Sequence, residues 1–230
     1  MQKSKKPIII SVGGSLIVQE KINTDFLQKL SLIIDQQVQN DERFILVAGG
    51  GRTARSYQSA IYEFYPDDKV TADWIGIHST ILNAQMLKLI FKKYTHPDLV
   101  GNPDIKYDWN SPILIGAGYE PGHSTDYDAV KLAITYGSNK IINLSNIDYV
   151  YDSDPRHNPN AERFEAISWQ EFRKCIPTEW TPGLSSPFDP TAAKLAEENN
   201  IEVAMINGFA LDRLENYLRG DKFIGTRIHP

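Results

Sequence analysis

Phe44 to Ala48 are five apolar residues in an unbroken run, and Gly49, Gly50 and Gly51 follow at once. A run of that length suits a strand buried on both faces, as in a parallel sheet. Only glycine takes positive φ freely and lets a bulky anion come against the backbone. The chain continues as RTARSY, which is compatible with a helix. A strand, a glycine turn and a helix N-terminus therefore meet, placing free N–H groups and a positive dipole end at one spot. Arg55, about one helical turn in, can fork two oxygens of a phosphate. By itself the stretch is equally compatible with a tight turn and two solvated arginines, and recurrence elsewhere decides between them.

The pattern does recur. Pro7 to Val12 ends in Gly13-Gly14-Ser15, Ile113 to Ile115 in Gly116-Ala117-Gly118, and Ile201 to Ile206 in Asn207-Gly208. Helical signals alternate with these strands. Thr24 is the expected N-cap of a helix whose apolar stripe is Phe26, Leu27, Leu30, Ile33, Ile34 and Val38. Ser124 opens a helix to about Tyr136, and Asp189-Pro190 opens another with proline at the position it tolerates best. Lys140 to Leu144 is a further strand, Ile147 to Tyr151 is short and apolar, and Ser168 to Lys174 is at most a brief helix. Leu211 to Leu218 is a short helix, Lys222 to Ile228 a closing strand, and Trp180 to Pro187 irregular. Such alternation predicts an α/β fold with a mostly parallel sheet between helices. The glycine turns then share the carboxyl edge of the sheet, where an extended polyanion can be held.

Val70 to Phe91 reads as a long helix with an unusual face. Asp73, Gly76, Thr80, Asn83 and Ala84 recur at i, i+3, i+7, i+10 and i+11 and make one small, polar stripe. Trp74, Ile77 and Ile81 lie on one side of it, and Ile75, Leu82, Met86 and Leu89 on another. The stripe either packs closely on a neighbour or lines a ligand pocket.

Several classes of function are excluded. A net charge of −5 over 230 residues argues against nucleic acid or an anionic membrane as partner. One cysteine, Cys175, excludes an internal disulfide and suits a cytoplasmic setting. No stretch approaches the ~20 apolar residues of a membrane helix, and the run after the basic MQKSKK is too short for a signal peptide. The five histidines show no HxH or HExxH spacing, so no metal site is expected from protein side chains. GxxxxGK[ST] is absent, and GAGYEPG is one residue too long for GxGxxG. Asp126 and Asp128 look paired, but two positions apart on a helix they diverge by about 200°. Asp126, nearer the N-terminus, is the one expected to face a site.

These motifs occur in a telling order: GGS, GGGRTAR, Asp73 with Gly76-Ile77 and Thr80-x-x-Asn83-Ala84, PGHSTD, NIDYVYDSDP, SSPFDPTAAK, then Gly225-Thr226. In that order they resemble the amino-acid kinase family, and within it the archaeal-type uridine monophosphate kinase branch, over nearly the whole chain. The resemblance implies one three-layer αβα sandwich, with residues 1–137 holding the phosphate acceptor and 138–230 holding ATP. It implies ATP- and Mg²⁺-dependent phosphorylation of UMP to UDP, with Mg²⁺ held mainly by nucleotide phosphates, and a closed homo-oligomer, a hexamer.

The same resemblance implies roles for particular residues. Gly13, Gly14, Ser15 and Gly51 would hold donor phosphates, and Gly50 would lie near the point of transfer. Arg55 would meet the acceptor phosphate or the transferring group. Asp73 would accept from ribose hydroxyls, and Gly118, Tyr119, Glu120, Pro121, Gly122, His123, Ser124 and Thr125 would wrap the acceptor nucleotide. Ser145, Tyr151 and Asp154 match ATP-side positions. Asp126 and Lys194 would organise charge at the reacting centre.

The chain departs from the pattern at four places. Ser11 stands where many branches carry lysine, Ile81 where the archaeal-type branch has arginine, and Tyr149 where DGVY has glycine; STDYDAV replaces TTDAVAA. Two other readings stay open on these residues: a kinase of another small phosphate or carboxylate, and a non-catalytic anion-binding protein. Apolar groups on Phe26 to Val38 and Ile61 to Tyr65 hint at the assembly surface.

Overall fold

The computed structural model describes residues 5–184 and 186–230. Ser185, the first residue of SSPFDPTAAK, lies outside the described residues, as does the start of the basic N-terminus at 1–4.

In chain order the elements are β1 (Ile8–Val12), α1 (Gly14–Ile17), α2 (Thr24–Gln39), β2 (Phe44–Ala48), α3 (Gly51–Phe64), α4 (Lys69–Ile90), β3 (Ile113–Gly116) and α5 (Thr125–Tyr136). There follow β4 (Lys140–Ser145), β5 (Val150–Tyr151), β6 (Arg163–Phe164), β7 (Ala166–Ser168), α6 (Trp169–Phe172), α7 (Pro190–Glu198), β8 (Glu202–Asn207), α8 (Asp212–Arg219) and β9 (Thr226–His229). Seven strands form one sheet in the order β3-β2-β1-β4-β8-β9-β7. β3, β2, β1, β4 and β8 are mutually parallel, while β9 runs antiparallel to β8 and carries β7 parallel to itself. β5 and β6 form a separate small hairpin.

Why the inner strands are continuous apolar runs is visible in their alternation. Ile9, Ile45, Val47, Ile141, Val203 and Met205 face one core, with α5, α6 and α7. Ile10, Phe44, Leu46, Ile142, Ala204 and Ile206 face the other, with α1, α2, part of α4 and α8. A sheet with an apolar core on each face makes the three-layer sandwich.

Local signals hold with small shifts. The N-cap of α2 is Asn23, whose side chain accepts from Phe26 N, so the expected cap at Thr24 is displaced by one residue. Ser124 and Asp189 cap α5 and α7 as expected, and Pro190 sits in the first turn. The closing strand begins at Thr226 rather than Lys222, because Gly225 with φ +157° and a tight approach to Met205 O marks its entry. β7 has no counterpart in the expected elements: three residues are too few to show a period.

The long helix is inverted relative to its apolar count. Asp73, Gly76, Thr80, Asn83 and Ala84 are all buried, whereas Trp74, Leu82 and Leu89 are 44%, 64% and 66% exposed. The small stripe packs inward because it touches backbone. Asn83 Nδ2 donates to Gly49 O at 2.8 Å, Gly118 N donates to Thr80 Oγ1 at 2.8 Å, and Gly76 lies under the Gln58 side chain of α3. The stripe packs closely, and Asp73, Gly76 and Thr80 on it also line a cavity.

Candidate active site

β1 and β2 lie side by side with Val12 opposite Ala48, so their glycine turns emerge together. The turns interlock. A Cβ on Gly14 would stand 2.0 Å from Gly51 N, and one on Gly51 would stand 2.2 Å from Gly14 O. Gly51 also has φ +65°, a left-handed conformation that favours glycine. Two chain segments thus approach backbone to backbone, with no side chain between them. The start of α3 has no side-chain cap; Arg52 N donates to Val18 O at 3.2 Å, and the dipole end of the helix faces the turns.

A cavity of about 280 Å³ opens at this carboxyl edge. The β1 and β2 turns supply Gly13, Gly14, Ser15, Gly50, Gly51 and Arg55 to its wall. α4 supplies Asp73, Gly76 and Thr80, the start of α5 supplies Gly118 and His123 to Asp126, and β4 supplies Asn143 and Ser145. Among the described lining residues Arg55 is the one lysine or arginine. A larger cavity of about 600 Å³ lies at the opposite edge, between Lys6, Lys140, Tyr217 and Arg227. Its wall has no paired glycines, and its two carboxylates, Glu202 and Asp221, face Lys140 and Arg219, so chemistry is assigned to the smaller one.

Two carboxylates define the floor. Asp126 accepts from Ser11 Oγ at 2.9 Å and from Asn143 Nδ2 at 2.7 Å. Burial pushes its carboxyl up to about 7, the charge of Asp189 adds to the rise, and the two side-chain donors oppose it. Asp73 Oδ2 accepts from Gly122 N at 2.8 Å, and burial raises that carboxyl to about 6 against the pull of this bond. Asp189, 4% exposed, caps α7 through Thr191 N and Ala192 N and takes Ser124 N at 2.6 Å. One carboxylate therefore ties the loop before α5 to the start of α7.

Some expected site residues stand elsewhere. Tyr119 lines a neighbouring pocket of about 180 Å³ with Trp74, Ile77 and Ile81, and shares Gly118 with the main cavity. Gly122 reaches the site only through its N–H on Asp73. Glu120 is exposed and Pro121 half-buried, and neither lines the wall. Tyr151 sits on the β5–β6 hairpin away from the cavity. Asp154 is engaged by Arg156 at 2.7 Å, which holds its carboxyl down at about 2. Lys194 is 63% exposed, with its Nζ 3.9 Å from Glu198 Oε1.

Of the other lining residues, Ser186 and Pro187 belong to the SSPFDPTAAK motif and the rest carry little or no sequence signal. Gln58 and the segment of Trp180, Gly183, Leu184, Ser186 and Pro187 complete the wall. Ser11 and Asn143 did have a signal. Each is a polar residue inside a buried apolar strand, and the two are register partners. A polar pair at one level of a parallel sheet interior needs a buried polar partner, here Asp126.

The fold and this cavity define a nucleotide- or phosphate-handling α/β protein of the glycine-turn kind. The chain belongs to the amino acid kinase family, whose pattern it matches over residues 6–104 and 107–207. It is 32% identical to a uridylate kinase of Pyrococcus abyssi over 228 residues, covering 97% of this chain and 99% of that one. It is 31% identical to a uridylate kinase of Thermoplasma acidophilum, covering 96% of each. The crystal structure of the uridylate kinase from Archaeoglobus fulgidus superposes with a TM-score of 0.81 at 25% identity, covering 96% of this chain and 99% of that one.

Proposed function

We propose that the protein transfers the γ-phosphoryl group of ATP to UMP, giving UDP and ADP, as a step of pyrimidine nucleotide synthesis in the cytoplasm. The observation that carries this reading is the pair of interlocked glycine turns, with Arg55 and two inward carboxylates, in a chain whose full-length relatives are uridylate kinases. A phosphate oxygen of UMP attacks the γ-phosphorus, the bond to the β–γ bridging oxygen breaks, and ADP leaves. The attacking oxygen is already an anion, so alignment and charge neutralisation suffice without a general base.

The residue roles are those that the family resemblance implies. Gly14, Ser15 and Gly51 hold donor phosphates through backbone N–H groups, Gly13 shapes the turn with its own N–H on Leu144 O at 2.8 Å, and Gly50 borders the point of transfer. Arg55 forks the acceptor or transferring phosphate. Asp73 accepts from the ribose hydroxyls, and the loop from Gly118 to Thr125 wraps the nucleotide, with Tyr119 bordering the small apolar pocket beside the ribose. Ser145, Tyr151 and Asp154 belong to the ATP half, residues 138–230, and the acceptor occupies the half formed by 1–137. Asp126 keeps Ser11 and Asn143 oriented at the reacting centre, and Lys194 swings from Glu198 to the phosphates. Magnesium, carried by the nucleotide phosphates, would supply neutralisation of β- and γ-phosphate charge.

The active form is a closed homo-oligomer, a hexamer. What supports assembly is the outward face of α4, where Val70, Trp74, Ile81, Leu82 and Leu89 are exposed together, continued by Phe64 and Tyr65. The hint from α2 is corrected: Phe26, Leu27, Leu30, Ile33 and Ile34 are buried in this chain's own core.

A coupled phosphoryl-transfer assay against a panel of nucleoside monophosphates, isopentenyl phosphate and acylated amino acids tests the activity. UMP should be the preferred acceptor. Turnover with a rival acceptor alone replaces the substrate, and nucleotide binding without any turnover leaves a binding protein.

A further inference from the structure

Among the described residues, three buried side-chain atoms make no hydrogen bond of ordinary geometry: Nε2 of His123 and both carboxyl oxygens of Asp128. They form one cluster. His123 Nδ1 is 4.0 Å from Asp128 Oδ2 and 3.3 Å from Ser124 O. The imidazole stacks on Tyr127 with ring centroids 4.2 Å apart and planes 28° apart. Asp128 is 1% exposed and sits in the first turn of α5.

A buried carboxyl whose only donor among the described residues, the Tyr119 N–H, falls short of ordinary hydrogen-bond geometry is a costly feature for a core to carry. The position is also where STDYDAV departs from the pattern TTDAVAA, with Asp128 at the place of its valine. That cost falls at one particular place, beneath the loop from Gly118 to Thr125. Two carboxylates already grip this loop, Asp73 at Gly122 N and Asp189 at Ser124 N. Asp128 faces the residue between those two points.

We propose that Asp128 is a positioning residue for the acceptor: it binds His123 and so sets the loop Gly118–Thr125 in its nucleotide-holding shape. The inference rests on the reading of that loop as the acceptor site. The present separation is about one ångström beyond a hydrogen bond, and a rotation of the imidazole within its stack closes it. His123 also lines the cavity, so the closed pair fixes a wall of the site.

The charges around the pair favour one shared proton. Burial pushes Asp128 well above the usual carboxylate range, and Glu120, Asp189 and Asp126 add to the rise while the backbone N–H of Tyr119 opposes it. Burial holds His123 below its ordinary value, with Lys131 acting the same way and Ser124 O, Asp189 and Glu120 opposing. A protonated carboxyl facing a neutral imidazole forms a bond without burying net charge.

The test uses Asp128→Asn, which is nearly isosteric, and Asp128→Ala. Acceptor KM should rise about tenfold in Asp128→Ala with kcat within about twofold, the loss of roughly one positioning hydrogen bond, and by less in Asp128→Asn, whose amide N–H can still donate to the imidazole. Thermal midpoints should hold or rise by about 2–4 °C, because a buried acid without an ordinary hydrogen bond is removed. The imidazole of His123, followed by NMR in the ligand-free protein, should titrate at a different pH in Asp128→Asn. Unchanged KM together with an unchanged His123 titration overturns the proposal. If UMP is not a substrate of the wild type but His123 still responds to Asp128→Asn, the acceptor reading fails and the pairing stands.

Discussion

Asp73 spends one carboxylate oxygen on Gly122 N and has the other for a ligand. A charged acceptor to a hydroxyl contributes about 1.5–3 kcal/mol, so UMP should be preferred over dUMP by roughly tenfold or more. Asp73→Asn should shrink that ratio, measured as kcat/KM for the two acceptors; equal use of both by the wild type rejects the ribose contact. Asp73 and Asp126 also make stability depend on pH. Their folded values of about 6 and about 7 lie above the ordinary 3.8. Carboxyls raised in this way bind protons more tightly in the folded state, so their full contribution is present below about pH 4 and is lost as pH rises through 6 and 7. Ligand-free protein should therefore melt several degrees lower at pH 8 than at pH 5. Asp126→Asn should flatten that slope, and thermal melts across the range check it.

At the scale of elements, glycine position separates two kinds of requirement. Gly14 meets backbone at 2.0 Å, whereas Gly137, with φ +70°, has nothing within 4 Å of a built Cβ. Gly137→Ala should cost about 1 kcal/mol of stability and leave activity unchanged. Gly14→Ala must part the β1 and β2 turns, and should lower kcat/KM by at least ~10² through loss of the aligned cradle. Equal effects in melts and kinetics would deny the interlock. α7 poses the other element-level question. Lys194 stands beside Glu198, an exposed pair worth at most ~1 kcal/mol, so releasing the amine to a phosphate is inexpensive. Lys194→Met should lower kcat by about 10², with Glu198→Gln near normal. A Lys194→Met enzyme with ordinary kcat makes the lysine a surface residue. The inner strands were legible because apolar runs such as Phe44–Ala48 are buried on both faces and stop at glycines. The segment from Trp180 to Leu184 was not, since a loop reaches a cavity by tertiary placement and leaves no periodic trace. Ser11 and Asn143 fell between: each is a visible polar interruption, but only strand register shows that they share Asp126.

For the whole molecule, the sandwich satisfies its two cores internally, yet leaves one helix face unsatisfied. α4 turns its polar stripe inward to hold Gly49 O and Gly118 N, and its other side stays exposed. Val70, Trp74, Ile81, Leu82 and Leu89 are left in solvent as a consequence of building the site, not as an excess of apolar residues. Sequence periodicity placed apolar residues on two sides of the stripe but did not show which of them is buried, because it registers hydrophobicity and not which face the active site requires. Exposed ribs of this kind are covered by another copy in closed assemblies. Assembly should therefore couple to catalysis, since α4 carries Asp73 on one side and Trp74 on the other. Leu82→Glu, placed on the outward face away from the cavity, should break the oligomer in sedimentation while leaving secondary structure intact. The dissociated form should bind UMP more weakly, because α4 loses the support that fixes Asp73 and Thr80 against the loop. A wild-type monomer at micromolar concentration rejects the assembly. An oligomer that Leu82→Glu disrupts without loss of UMP affinity keeps the interface and rejects its link to the site.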